Sequence, residues 1–437
     1  MATRSTPAAP GSAPNYTGPF ITVAILFGIF GFLTVLNNTL VAKLESVFNL
    51  SHGSAELATT AWFFAYLVFS VPAAKVIEKV GYKSTMVISL FVMVAGALLF
   101  LPAANLVSFP LTLFAIFVLA TGVTGLQTSA NPYVTILGPE HSASARLNLA
   151  QAINSCGSLV APWVAAHFIL TNAGNTASPA ATAHMLQGPY IAIAVALLLL
   201  GFAVMMLHLP AVTTTREFRP AADAGPVLER NIWSYPHVVL GMIGLFFYVG
   251  LEISLASITI QFGMAQGMTS VEAAGNMLVL FYVLMMAGRL VGSAIMKWIK
   301  AQHLLVILGL AGTALLLISM NSHGLSAVWT LVFCGVTCSI MYPTIFALGV
   351  AEMGPLTSKA SGVLTIGNVG GGVIPPLFGL LSVAIGQHYA SVHQMPYIRG
   401  GAADSVGIQY ALVIPIIAYL YVAFYGLWGY KPRYGVR

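Results

Sequence analysis

Charge is what this chain lacks most. Charged residues make up 6% of its 437 residues and hydrophobic ones 58%. Water-soluble domains carry roughly 25% charged residues, so a soluble fold is excluded. Cysteine is scarce as well. Cys156, Cys334 and Cys338 sit in apolar segments, at a spacing that resembles no metal site, and read as small buried hydrophobes. No strong alternation of polar and apolar residues suggests a β-barrel, and the apolar runs are too long and uniform for barrel strands. No signal-peptide layout opens the chain. Met1 to Tyr16 is polar and rich in Pro, Ala and Ser, which reads as a disordered cytoplasmic tail. The net charge of +6 would point to nucleic acid in a soluble protein. Here its placement has a plainer cause, membrane topology, and no nucleic-acid partner is expected.

What is present is a series of apolar runs of about 20 residues, each long enough to cross the ~30 Å hydrocarbon core. Glycine (42) and proline (23) occur within them, as membrane helices tolerate. The pattern predicts an all-α membrane protein with twelve spans, near 19–43, 54–79, 82–103, 108–138, 144–171, 188–210, 234–262, 270–298, 303–321, 325–352, 359–386 and 408–430. The longest charged loop, 211–232, is the expected linker between two six-helix halves, 19–210 and 233–437, with 1–18 as the tail. With the N-terminus inside, fourteen of the seventeen Lys and Arg fall in cytoplasmic segments, Lys43 and Arg399 fall outside, and Arg289 lies within span 8 toward its cytoplasmic end. The bias toward one side places both termini in the cytoplasm.

The halves echo one another. Pro132 is followed by Leu137-Gly138, and Pro343 by Leu348-Gly349 at the same offsets; Asn154, Gly157 and Pro162 recur as Asn368, Gly371 and Pro376. Repeated halves with proline-broken helices at matching places are the layout of transporters that rock around a solute at mid-membrane.

Polar residues inside membrane helices are expensive, so each is a candidate site. Span 1 holds Asn37, Asn38 and Thr39, span 4 holds Gln127 and Asn131, and span 5 carries a stripe of Asn148, Gln151, Asn154 and Ser155. Span 7 holds Tyr248 and Glu252, and span 11 holds Asn368 beside Gly370-Gly371-Gly372. Amides both donate and accept, which suits the hydroxyls of a neutral sugar; Trp62, Tyr66, Tyr133 and Tyr342 are candidates to stack on its apolar face. The bland alternative is that the amides glue helices together, at ~0.6 kcal/mol or somewhat more each. Glu252 is the only acid placed well inside a span and has no obvious basic neighbour. It could load and release a proton, hold Na⁺, or accept bonds from a substrate. His167 reads as a helix-packing residue rather than a proton relay.

Two stretches resemble known families. Glu78-Lys79-Val80-Gly81-Tyr82-Lys83 resembles the loop between spans 2 and 3 of the major facilitator superfamily, with Ala74 where that pattern usually has glycine. Glu78, Lys79 and Lys83 would form a cytoplasmic charge clamp. The run from Gln127 through Asn131-Pro132 to Glu140, with Arg146-Leu147-Asn148-Leu149-Ala150-Gln151 and Asn154-Ser155, resembles the fucose–galactose–glucose:proton symporter family of that superfamily. Met341-Tyr342-Pro343 and Tyr248 to Ser254 agree with it. The resemblance implies monomeric sugar carriers of the bacterial inner membrane working by alternating access, usually with an ion. It also implies an aspartate at Asn38, a glutamate at Gln127 and a cavity asparagine at Asn154. Gln127 suits the glucose/galactose branch; Asn38 is a departure, since an amide cannot release a proton. Three readings follow: coupling through Glu252, facilitation without coupling, or an engineered Asp-to-Asn replacement. The expected substrate-binding residues are Asn38, Gln127, Asn131, Gln151, Asn154, Tyr342 and Asn368, with Glu252 and Asn38 at the coupling site. No cofactor is expected beyond a co-transported H⁺ or Na⁺. Multidrug efflux is the weaker rival, because the amide stripe does not suit a wide apolar cavity. A membrane-embedded enzyme is weaker still, because no nucleophile–base pair or metal cluster appears in the spans.

Overall fold

The computed structural model describes residues 17–48, 52–164, 179–207, 209, 231–398 and 400–432. Most of the expected tail and linker, and His167, lie outside the described residues. The described chain is helical throughout, without a β-strand. α1 is Thr17–Phe48. The run His52–Asn105 is broken at Gly81 (φ 81°, ψ 170°) into α2 (52–80) and α3 (82–105); that left-handed φ is open to glycine and costly for other residues. There follow α4, Phe109–Ile136, α5, Ala143–Val164, α6, Pro179–Met206, α7, Pro236–Ala265, α8, Val271–Ile295, and α9, Ala301–Asn321. The last three are α10, Leu325–Val350, α11, Gly354–Val392, and α12, Ala402–Gly429.

These helices follow the twelve expected spans in order. α6 starts well before its expected position, at Pro179, and so does α12, at Ala402. The first turn of α12 carries Asp404, which accepts from the Tyr397 hydroxyl at 2.7 Å and the Gly400 N–H at 2.8 Å. A carboxylate so held at a helix N-terminus is favourable and lets the helix begin ahead of the apolar run.

The echo between halves has a backbone cause. A Cβ on Gly157 would lie 1.9 Å from the Gly28 carbonyl oxygen, and one on Gly370 1.9 Å from that of Phe246. So α1 touches α5, and α7 touches α11, main chain to main chain. In the second half the contact falls one residue before the echoing Gly371, which faces Phe63 of α2 instead. The Leu-Gly echo is likewise inexact. Gly138 adopts φ 121° just past the end of α4, whereas Gly349 stays helical and Glu352 takes the positive φ.

The matching prolines do the same work in both halves. Proline has no N–H, so the carbonyl four residues earlier loses its helical donor. Pro132 frees the Thr128 carbonyl, and Ser361 of α11 donates to it at 2.7 Å. Pro343 frees the Ser339 carbonyl, and Arg289 Nε of α8 donates to it at 3.0 Å. Irregular backbone at membrane depth is tolerated where such partners satisfy it.

Candidate functional site

The expected site residues meet where α4 and α5 of the first half face α10 and α11 of the second. Asn368 donates its amide to Gln127 Oε1 at 2.8 Å. Asn131 donates to the Tyr342 hydroxyl at 3.3 Å, and Gln151 to Asn131 Oδ1 at 3.5 Å. Asn131, Gln151, Tyr342 and Asn368 are buried. Gln127, Asn131 and Gln151 thus come from one half and Tyr342 and Asn368 from the other, in one network. One buried oxygen beside it, Asn368 Oδ1, has no hydrogen-bond partner among the described residues, and the Tyr248 hydroxyl lies beside Glu252. The Tyr248 and Tyr342 rings lie 6.2 Å apart.

Asn154 does something different. Its amide nitrogen donates to the Phe27 carbonyl of α1 at 2.9 Å, which fastens α1 to α5. Asn148 donates to Thr344 Oγ1 of α10 at 3.2 Å. Asn38 lies within α1, but its side chain is outside the described residues. Among the aromatics, Tyr133 packs its ring 6.0 Å from that of Tyr82 in the first-half core, while Tyr342 joins the amide network.

Glu252 sits half-buried near the middle of α7. It makes no ion pair among the described residues, where the ion pair found is Glu78–Lys359. The expectation of no basic neighbour needs correction. Glu252 and Arg289 both act electrostatically on Tyr248, Tyr282 and Cys338, so a cation shares its surroundings. Arg289 was legible only as a basic residue in an apolar span. The structure buries it, 5% exposed, against both halves: besides the Ser339 carbonyl it donates to the Gln151 carbonyl at 3.2 Å and to Ser155 Oγ of α5.

The hydrogen bonds between halves lie at the level of this network or toward the basic loops. There Ser293 of α8 donates to the Ala145 carbonyl at 3.0 Å and the Glu352 N–H to Glu140 at 3.3 Å. A cavity of about 720 Å³ opens at that end, lined by Tyr82, Glu140, Ser144, Trp298, Glu352 and Thr357 among others. The Asn148–Thr344 bond stands one helical turn deeper, between this cavity and the amides. The network is therefore closed toward the basic loops; on its other side Cys156 of α5 lies 3.5 Å from Met286 Sδ of α8.

At the basic end, Glu78 lies 3.7 Å from Lys359 and accepts from Ser358 at 3.5 Å, which joins α2 to α11. Lys83 instead donates to the Met205 carbonyl at 2.9 Å, within its own half, and Lys79 is exposed. The glycine missing at Ala74 is supplied by the partner helix, since a Cβ on Gly362 would lie 2.7 Å from that of Ala74. Two results are expected from thermal melts. Glu78→Gln should change stability by less than ~1 kcal/mol, because exposed pairs contribute little. Gly362→Val should cost about 1–3 kcal/mol through overpacking. A larger loss for Glu78→Gln than for Gly362→Val would reverse this ranking.

Twelve helices in two halves, joined by a polar network that is shut on one side, define a membrane transporter rather than an enzyme. The chain belongs to the Major Facilitator Superfamily, whose profile matches residues 20–376. It is 37% identical over 423 residues, 96% of each chain, to a glucose/galactose transporter of Brucella abortus biovar 1 (strain 9-941). It is 31% identical over 392 residues, 86% of this chain and 89% of the relative, to the L-fucose-proton symporter of Escherichia coli (strain K12). The solved structure of FucP in the outward conformation superposes with a TM-score of 0.79 at 26% identity, covering 95% of this chain and 99% of FucP.

Proposed function

We propose that the protein takes up a monosaccharide, a hexose or an N-acetylhexosamine, by alternating access driven by a proton gradient. The observation that carries this reading is the amide and hydroxyl network shared by the two halves, with the unpaired Asn368 Oδ1 at its edge. A buried polar atom without a partner is costly, and a sugar hydroxyl, which can donate, would satisfy it. The sugar is bound from the side opposite the basic loops, by Gln127, Asn131 and Gln151 of the first half and Tyr342 and Asn368 of the second. Asn154 contributes its Oδ1 while its nitrogen holds α1, and Asn38 is assigned to the sugar site from its place in the sequence alone. When the halves rock, the bonds at the basic end separate and the sugar leaves there. Lys and Arg bias puts that end, and both termini, in the cytoplasm of a bacterial cell, and the carrier works as a monomer. Glu252 carries the proton, since the amides at Asn38 and Gln127 cannot release one. The names of the relatives support a proton rather than Na⁺.

Uptake of labelled D-glucose, D-galactose and L-fucose into proteoliposomes tests this. Accumulation of a sugar that rises with an imposed inward pH gradient and collapses with a protonophore is expected. Failure of every monosaccharide to enter faster than into empty liposomes would overturn the reading.

A further inference from the structure

We propose that Arg289 is a latch between the halves, which holds the basic-loop end shut through Gln151 and Ser155 and exchanges those partners for Glu252 when that end opens.

The guanidinium is buried and meets only neutral oxygens. It donates to the Ser339 carbonyl at 3.0 Å, to the Gln151 carbonyl at 3.2 Å and to Ser155 Oγ, and it lies 3.8 Å from Met285 Sδ. Ser339 stands on α10, in the same half as Arg289, so that bond survives any rocking of the halves. It is also secure for a local reason, because Pro343 removes the N–H that would otherwise claim the carbonyl. Gln151 and Ser155 stand on α5 of the other half. Parting the halves at this end must strip them from the guanidinium.

A planar guanidinium offers five N–H donors, and donors left bare inside a membrane are costly. A carboxylate on its own half would hold the freed guanidinium more tightly than the entering water. Glu252 is the acid among the described residues that lies well inside a span. It makes no ion pair there, and it already shares with Arg289 the electrostatic surroundings of Tyr248, Tyr282 and Cys338. A carboxylate and a guanidinium also match geometrically as a bidentate pair. Other charged groups near this level give no competitor, since Glu78 is engaged by Lys359 and Glu140 by the Glu352 N–H, both at the basic end.

The exchange deepens the proton-coupled reading and rests on it for its purpose. With Arg289 committed to α5, Glu252 makes no ion pair among the described residues. When the basic end opens, the proton leaves the carboxyl oxygen for water there and the carboxylate takes the guanidinium. Closing the latch again requires that pair to break, which reprotonation from the other side permits.

Electron–electron distance measurements test the latch. Nitroxide labels are placed at His141 and Lys300, exposed in opposite halves at the basic end. Cys156, the exposed native thiol, is replaced by serine; Cys334 and Cys338 are buried. Without sugar, the parent should show mainly the short distance. Arg289→Gln should raise the long-to-short ratio about tenfold, the scale of losing charge-assisted bonds, and Arg289→Lys should raise it less. Glu252→Gln should lower the long-distance population, because the charged, bidentate acceptor is gone. An unchanged distribution in folded Arg289→Gln overturns the latch. A Glu252→Gln distribution equal to the parent's overturns the exchange, and that variant carries the test if Arg289→Gln does not fold. No sugar enters the measurement, so the sugar reading can fail while the latch stands.

Discussion

Glu252→Gln should abolish accumulation against a gradient and leave exchange of sugar across the membrane in place. An inward gradient of one pH unit stores 1.36 kcal/mol per proton, so a carrier moving one proton with each sugar sustains about a tenfold concentration ratio. The variant should sustain none, while counterflow with sugar on both sides continues at a rate within about threefold of the parent, the scale of one neutral hydrogen bond. The reason lies in the inventory of the site. Gln127, Asn131, Gln151 and Asn368 are amides, and an amide donates and accepts without losing a proton. Glu252 is half-buried on α7, without an ion pair among the described residues, and acts on Tyr248 and Tyr342, the aromatic wall of the network. An undiminished tenfold ratio in Glu252→Gln would remove this residue from coupling and transfer the role elsewhere in the chain.

The second large effect concerns the backbone contacts that build each half. Gly157→Val and Gly370→Val should each cost about 3 kcal/mol or more, beyond ordinary overpacking, because the new Cβ lands on main chain that cannot rotate away. The clash distance, 1.9 Å to a carbonyl oxygen in both cases, leaves separation of the helices as the only relief. Separation also breaks the Asn154–Phe27 bond on the first side. A strong fall in melting temperature, with loss of the parent's peak on size exclusion, is the expected outcome. Gly379→Ala is the control: nothing lies within 4 Å of its Cβ position, and alanine gains roughly 0.5–1 kcal/mol over glycine in a helix. A Gly157→Val protein that melts with its parent would refute the close approach of α1 and α5.

Much of this was legible before any coordinates. Hydropathy alone yields the helices, since nothing but a helix or a closed barrel satisfies backbone in lipid. The pairing of Asn131 with Tyr342 agrees with the echo, because residues at equivalent places in two repeated halves face each other across the interface, whereas the Gln127–Asn368 bond joins places that are not equivalent. Other parts were hidden for identifiable reasons. The spacing of Asn154 and Gln151 marks one polar stripe, yet it cannot say that Asn154 spends its donor on the α1 backbone. Proline positions predict broken helices, but which side chain meets each freed carbonyl depends on packing between helices far apart in sequence. Arg289 looked like one more basic residue near a cytoplasmic boundary. Its burial is set by α5 and α10, which no local pattern around it reveals. Glu78 was recognisable as a clamp residue, whereas its partners Ser358 and Lys359 lie some 280 positions away.

The central claim is that one sugar is held at once by side chains of both halves. Calorimetric titration of the purified protein with the transported hexose tests it, using Gln151→Ala from the first half and Asn368→Ala from the second. Each substitution should weaken binding about tenfold, the cost of one buried polar group left without its partner, in protein whose melting temperature stays near the parent's. Parental affinity in either well-folded variant would mean that the sugar is not shared between the halves at this network.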